Sequence, residues 1–283
     1  MITDNQTNFL YLADTLPSKY TDFFQRFEAL LNIHKIAHQL LPLTKDIWAV
    51  DYMPIQRDIN DFVQFIYDPK YLKTKSGEKS KSNPDTICRA IGISTTPSKI
   101  KLDGGNIVHW KNRIIMTDRI FEENPEYSQN QLLDNIIKEL EINDIVLIPE
   151  QPGDFTGHAD GLIRFIDEKT VVINDLSQEK KQFKNAFEIA IHNAGFEAIV
   201  LPYNPYNNKN NTDGKGCYIN YLQMKDIIIF PIYGMKEDDE AFKQIQSIYP
   251  GYTIATINCK DIAKEGGVLN CISWNIQVDY STN

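Results

Sequence analysis

The chain has 283 residues, enough for one large hydrophobic core or two modest ones. With 42% hydrophobic residues, 14 Tyr and 14 Phe, it has the composition of a globular protein and not of a disordered one. Its 29 basic and 38 acidic residues leave a net charge of -9, which excludes a general attraction for nucleic acid or an anionic membrane and weakly favours a cationic ligand. The start MITDNQTNFL has no basic n-region, and no apolar run reaches the ~18 residues of a membrane span. A soluble, cytoplasmic protein is therefore expected.

Phe9 to Leu12 reads as a short strand, and Tyr20 to Leu31 as a helix with Phe23, Phe24, Phe27, Leu30 and Leu31 in its apolar stripe. Asp46 to Asp51 reads as an extended segment entering a loop, since Pro54 biases Met53 away from helix. Residues 70–84, rich in lysine and serine, have almost nothing to bury and read as an exposed, mobile loop. A strand at Ile114 to Thr117 precedes a helix opened by a capping box, Ser128 with Gln131, and carrying Leu132, Leu133, Ile136, Ile137 and Leu140. Ile145 to Ile148 is a strand closed by Pro149. Leu162 to Ile166 and Val171 to Ile173 make a hairpin around Asp167 and Glu168. A helix from Lys184 to Asn193 ends before Gly195, a strand follows at Ala198 to Leu201, and 203–216 is a polar loop. Strand Ile227 to Phe230, helix Asp238 to Ile248 and strand Tyr252 to Ile257 lead to a last apolar stretch, Val268 to Ile276. Paired strands with one helix thus recur about every 50 residues, which suits α+β or mixed-sheet units. No linker divides the chain, so residues 1–283 are expected to form a single domain.

Four segments carry polar residues that strands do not need. In Asp46 to Pro54, strand burial explains Ile47 and Trp48 but not Asp51, unless Asp51 is simply an exposed strand end. In Leu102 to Asn106, Gly104 and Gly105 after Asp103 make either a plain turn or a place where a ligand comes close to the backbone. In Gly157 to Gly161, His158 and Asp160 share a face under a strand's period of two and could flank a ligand, with Arg164 following. There is no HExxH and no third ligand nearby, so no metal site is read. In Gly266 to Ile272, glycines give Cys271 room and exposed N–H groups, as a nucleophilic cysteine needs. A cysteine in an apolar strand is otherwise an inert core residue. Cys88, Cys217, Cys259 and Cys271 form no CxxC pair, so neither a disulfide framework nor a zinc knuckle is expected.

Together DIWAVDYMP, LDGGNI, GHADGLIRF and EGGVLNCISWNIQ, in this order, resemble the motifs of the agmatine deiminase and bacterial-type peptidylarginine deiminase family of the guanidine-modifying, or pentein, superfamily. NYLQMKDIIIFPIYG and TINCKDI follow the family too, and the likeness spans residues 45–277. It implies an α/β fold, a five-bladed propeller of ββαβ modules with pseudo-fivefold symmetry, and an acidic central pocket with no metal and no organic cofactor. The implied activity is hydrolytic deimination of a guanidino substrate, agmatine or a related arginine derivative, to a ureido product and ammonia. On this likeness Cys271 is the nucleophile and His158 handles the protons. Asp103, where the family has Glu, contacts the guanidinium nitrogens, Asp51 and Asp160 grip the guanidinium, and Trp48 walls the pocket. The partner is then a small cationic guanidino compound, not nucleic acid or membrane, and a homo-oligomer stays open. An amidinotransferase on the same fold and a non-enzymatic binding protein are the alternatives. The chain departs from the pattern at Val50 (Arg in the family), at Met53 (Gly), and at Val108 to Lys111, where a glycine-rich extension is usual. Asp103 is one methylene shorter than Glu, so its carboxylate is expected about 1.5 Å short. These departures leave the guanidino compound open.

Overall fold

The computed structural model describes residues 1–204 and 213–280. Among these, fifteen strands form five three-stranded sheets. In chain order the strands are β1 (Phe9–Ala13), β2 (Ala37–Leu41), β3 (Ile55–Asp58), β4 (Asp61–Ile66), β5 (Thr96–Lys101), β6 (Val108–Trp110), β7 (Arg113–Thr117) and β8 (Asp144–Ile148). They continue as β9 (Ile163–Phe165), β10 (Thr170–Asn174), β11 (Glu197–Leu201), β12 (Leu222–Met224), β13 (Ile227–Ile232), β14 (Thr253–Asn258) and β15 (Ser273–Ile276). Every sheet repeats one arrangement. A central strand, β1, β4, β7, β10 or β13, pairs antiparallel with one neighbour, β15, β3, β6, β9 or β12. It pairs parallel with the other, β2, β5, β8, β11 or β14. A parallel pair needs a crossover. Helices α1 (Thr21–Ile33), α2 (Pro84–Ala90), α3 (Gln129–Leu140), α4 (Lys181–Asn193) and α5 (Asp238–Ile248) supply it. This is the five-bladed pentein propeller. The ring closes through the chain ends, since β15 lies against β1 with Leu10 opposite Asn275.

Local chemistry sets these elements. The central strands are buried along most of their length, which accounts for their near-continuous apolar runs. Helix α1 buries Phe23, Phe24, Phe27 and Leu31 on one face. Helix α3 opens with the expected capping box at Ser128 and Gln131. Helix α4 is followed by Gly195 at φ +74, a conformation that glycine adopts without strain. Helix α5 places Asp238, Asp239 and Glu240 in its first turn, where negative charge is favoured.

Some expectations fail in instructive ways. Asp46 to Asp51 is not extended: it bends and then makes one helical turn, Ala49–Tyr52, which stops where Pro54 holds Met53 at ψ 153. Residues 70–84 are not an open loop. They make short helical turns, Lys73 and Lys81 both pair with Asp68, and buried Ser82 accepts from the Lys45 N–H at 3.0 Å. Composition could not show this, because it does not reveal that Asp68, just before the segment, neutralises two of its lysines or that distant Lys45 bonds the serine. Part of the 203–216 loop falls outside the described residues.

Candidate active site

The propeller puts equivalent loops from all five blades together. Each blade's antiparallel strand is preceded by a tight turn, and the polar segments singled out in the sequence are these turns. Asp51 lies before β3, Asp103 before β6, His158 and Asp160 before β9, Asn220 before β12, and Cys271 before β15. His158 and Asp160 are therefore not on one strand face. His158 caps a 3-10 turn, Ala159–Gly161, and Asp160 is its middle residue, so they converge because the turn, not a pleat, aims them. Cys271 likewise sits in a turn ahead of β15 and is half-buried, whereas Cys88, Cys217 and Cys259 are buried.

Trp48, Asp51, His158, Asp160 and Cys271 all line one cavity of about 370 Å³. Cys271 Sγ faces Asp160 Oδ2 at 3.4 Å and accepts from Asn220 Nδ2 at 3.2 Å. The same Asn220 amide donates to Asp160 Oδ2 at 3.2 Å, and Asn270 Nδ2 donates to that oxygen at 2.8 Å. Across the cavity, His158 Nδ1 stands 3.4 Å from Asp51 Oδ1, and the Gly105 N–H donates to Asp51 Oδ1 at 3.2 Å. His158 Nε2 stands 3.1 Å from Asp103 Oδ2. Asp103 itself lies behind His158, in the wall of a smaller cavity, and the Tyr71 hydroxyl donates to its Oδ2 at 3.1 Å.

The glycines of these turns are explained by close approach. A Cβ at Gly105 would stand 2.5 Å from His158 Nδ1 and 2.6 Å from Asp51 Oδ1, and one at Gly104 only 2.0 Å from the Val50 carbonyl oxygen. At Gly267 it would meet Trp48 Cζ3 at 2.2 Å and Cys271 Cβ at 2.9 Å. At these three glycines the close approach is of protein to protein.

Electrostatically the cavity is short of positive charge. Burial pushes the Asp51 carboxyl well up from its ordinary value, and the neighbouring carboxylates add to this against the pull of His158. Burial raises Asp160 as well. Burial, then the charges of Asp160 and Asp51, push the Cys271 thiol well above its usual range. Burial alone would lower His158, but the Asp51 charge and the Asp103 bond outweigh it and push the imidazole up to about 10. Burial and mutual charge thus work against a thiolate at Cys271 and against charge on Asp51 and Asp160, and the carboxylates favour a protonated His158. A cation beside Asp51 and Asp160 would offset their charge and so favour the thiolate. Among the described residues, none that lines the cavity is Lys or Arg.

The model of the Porphyromonas-type peptidyl-arginine deiminase family matches residues 12–276. The chain belongs to this family. A Photobacterium profundum protein with the provisional name agmatine deiminase is 21% identical over 222 residues, 67% of this chain and 61% of that protein. The match thus spans about three fifths of that relative's length. The solved agmatine deiminase of C. jejuni superposes with a TM-score of 0.80 at 17% identity, over 98% of this chain and 95% of that one. The agmatine deiminase of Enterococcus faecalis superposes at 0.75 and 15% identity, over 97% and 94%. At such identity these likenesses establish the fold.

Against the family pattern, each departure acquires a place. Val50 does not line the thiol's cavity. It lines a second one of about 100 Å³, on the other side of Asp160, together with Arg164 and Trp110. Met53 is packed in the core with Tyr52 and Trp274. His109 bonds through Nε2 to the Ile2 carbonyl oxygen at 2.7 Å, fastening the N-terminus. Two site residues carried no assignment from the sequence. Asn220 could have been found by blade symmetry, as it heads the NYLQM segment. Tyr71 had no signal, because it lies in the lysine-rich stretch.

Proposed function

We propose that this chain hydrolyses a guanidino cation to a ureido product and ammonia through Cys271. The observation that carries this reading is the thiol held between Asp160 and the Asp51–His158 pair in a cavity with buried carboxyl groups and, among the described residues, no Lys or Arg in its lining. Asp51 and Asp160 hold the planar guanidinium by charge-assisted hydrogen bonds. Its charge offsets theirs and lets Cys271 ionise, with the thiol proton passing to a site carboxylate or to water. Sγ then bonds to the guanidinium carbon, and His158 gives a proton to the departing nitrogen, which leaves as ammonia. His158 next takes one proton from water, whose oxygen adds to the carbon; the carbon–sulfur bond then breaks as the remaining hydroxyl proton passes to the departing sulfur, which releases the ureido product and restores the thiol. Asp103 acts here through His158, holding its Nε2. Trp48 walls the cavity, and Asn220 keeps the thiol aimed.

The cavity also favours a particular substrate tail. Asp154, Glu179, Asp213 and Glu265 line it as well, and although Lys215 and Lys19 pair with the last two, a free α-carboxylate finds no cationic partner among the described lining residues. Agmatine, with an amine tail, is thus the preferred substrate, ahead of an arginine peptide and of free arginine. The test measures ammonia release and product mass for these three, with and without an acceptor amine. Agmatine is expected to turn over fastest, to a ureido product, and C271A to lose turnover. Full activity in C271A refutes the nucleophile, free arginine as best substrate refutes the tail assignment, and amidino transfer to the amine makes the chain a transferase.

A further inference from the structure

Arg164 follows the His–Ala–Asp turn but touches none of the reacting groups assigned above. It is 7% exposed, and its charge is held from several sides. Nη1 donates to the Tyr221 carbonyl oxygen at 2.5 Å and to Asn270 Oδ1 at 3.4 Å. Nη2 donates to Asp4 Oδ2 at 2.5 Å, and the guanidinium lies 4.2 Å over the Tyr221 ring. Asn270 in turn donates from Nδ2 to Asp160 Oδ2, the oxygen that faces the thiol. A guanidinium only donates hydrogen bonds, so it admits only the oxygen end of a carboxamide. With the amide turned round, the NH₂ group would face Arg164 and the oxygen would face the Asp160 carboxylate, and both contacts would be repulsive.

We propose that Arg164 is a positioning residue. By holding Asn270 Oδ1 it presents Asn270 Nδ2 to Asp160 and so fixes the carboxylate that orients guanidinium and thiol. Asp4, in the N-terminal turn Asp4–Gln6, balances its charge and makes the N-terminus part of the site's support. This rests on Asp160 gripping the substrate as proposed above.

The test compares R164M, R164K, N270A and the double variant R164M/N270A on agmatine, with R113M as control. Arg113 is stacked on Phe196 at 4.3 Å and bonds the Ala194 carbonyl oxygen at 2.8 Å, so it makes the same kinds of contact far from the cavity. R164M is expected to keep the native circular dichroism and lose about 100-fold in kcat/KM, the scale of an ångström's misplacement. R164K, with charge and donors retained, is expected to recover about tenfold. The double variant is expected to lose no more than the worse single one, since both act through one contact. R113M is expected to melt earlier but keep its kcat/KM. The inference is overturned if R164M stays within threefold of wild type, if the two single losses multiply, or if R113M loses as much activity as R164M. Should R164M not fold, Asp4→Ala replaces it, with about a tenfold loss expected and a loss under twofold overturning the inference. An inactive wild type refutes the proposed function itself, whereas an active wild type with an unaffected R164M refutes only this role.

Discussion

Gly104 and Gly105 are neighbours, yet alanine at each is expected to fail for a different reason. At Gly105 the new methyl would meet His158 Nδ1 at 2.5 Å and Asp51 Oδ1 at 2.6 Å. Ordinary contact begins at 3.4 Å, so the imidazole and carboxylate must retreat by about 0.9 Å. These are side chains and can move, so G105A is expected to fold, with a stability cost of about 1–3 kcal/mol. Activity is expected to fall about 100-fold, because the proton-handling ring is displaced by nearly an ångström. At Gly104 the methyl would stand 2.0 Å from the Val50 carbonyl oxygen, which belongs to the backbone of the helical turn carrying Asp51. That atom cannot be moved without the turn, so G104A is expected to lose stability more than G105A does. Thermal melts and steady-state kinetics on agmatine separate the two. If G105A keeps kcat/KM within threefold of wild type, the contact between the glycine turn and the His158–Asp51 pair does not set the site's geometry. If G104A melts with wild type, the turn is looser than the packing describes.

Two further outcomes follow from buried polar groups. Asp46 is buried, and burial raises its carboxyl to about 7, with the Trp48 N–H bond opposing. A raised carboxyl weakens the fold wherever the unfolded chain has ionised and the folded chain resists, which is above about pH 4 and fully above about pH 7. Asp46→Asn keeps an acceptor for the Trp48 N–H, so it is expected to raise the melting temperature at pH 8, by up to about 4 kcal/mol of stability, and to make no difference at pH 4; an equal effect at both pH values would contradict the linkage. Tyr71→Phe removes the hydroxyl bond to Asp103 but keeps the ring against His158 and Phe155. It is expected to lower kcat about tenfold with KM nearly unchanged, on the scale of one hydrogen bond to a charged group, and a larger change in KM than in kcat would place Tyr71 on the substrate instead.

What could be read without the fold was local. The capping box at Ser128 and Gln131, the apolar runs of the central strands, the glycine after α4 and the span of α5 depend on neighbours in sequence, and each was found where expected. The rhythm of paired strands and one helix suited mixed-sheet units, and the resemblance carried by the four motifs implied the propeller and pointed to Cys271, His158, Asp51 and Asp160, which line one cavity. The fold decided what distance along the chain conceals. Asp103 stands behind His158 and not in the thiol's cavity, a placement set by how the turns of two blades meet. Tyr71 reaches Asp103 and the cavity from a stretch whose lysine content by itself suggests only exposure. Val50 faces the second cavity, so its difference from the family pattern lies outside the cavity of the thiol. Cys271 itself was visible as a residue, but its environment was not. Its thiol is set by Asn220 and Asp160 from other blades, and burial among carboxylates pushes it above its usual range.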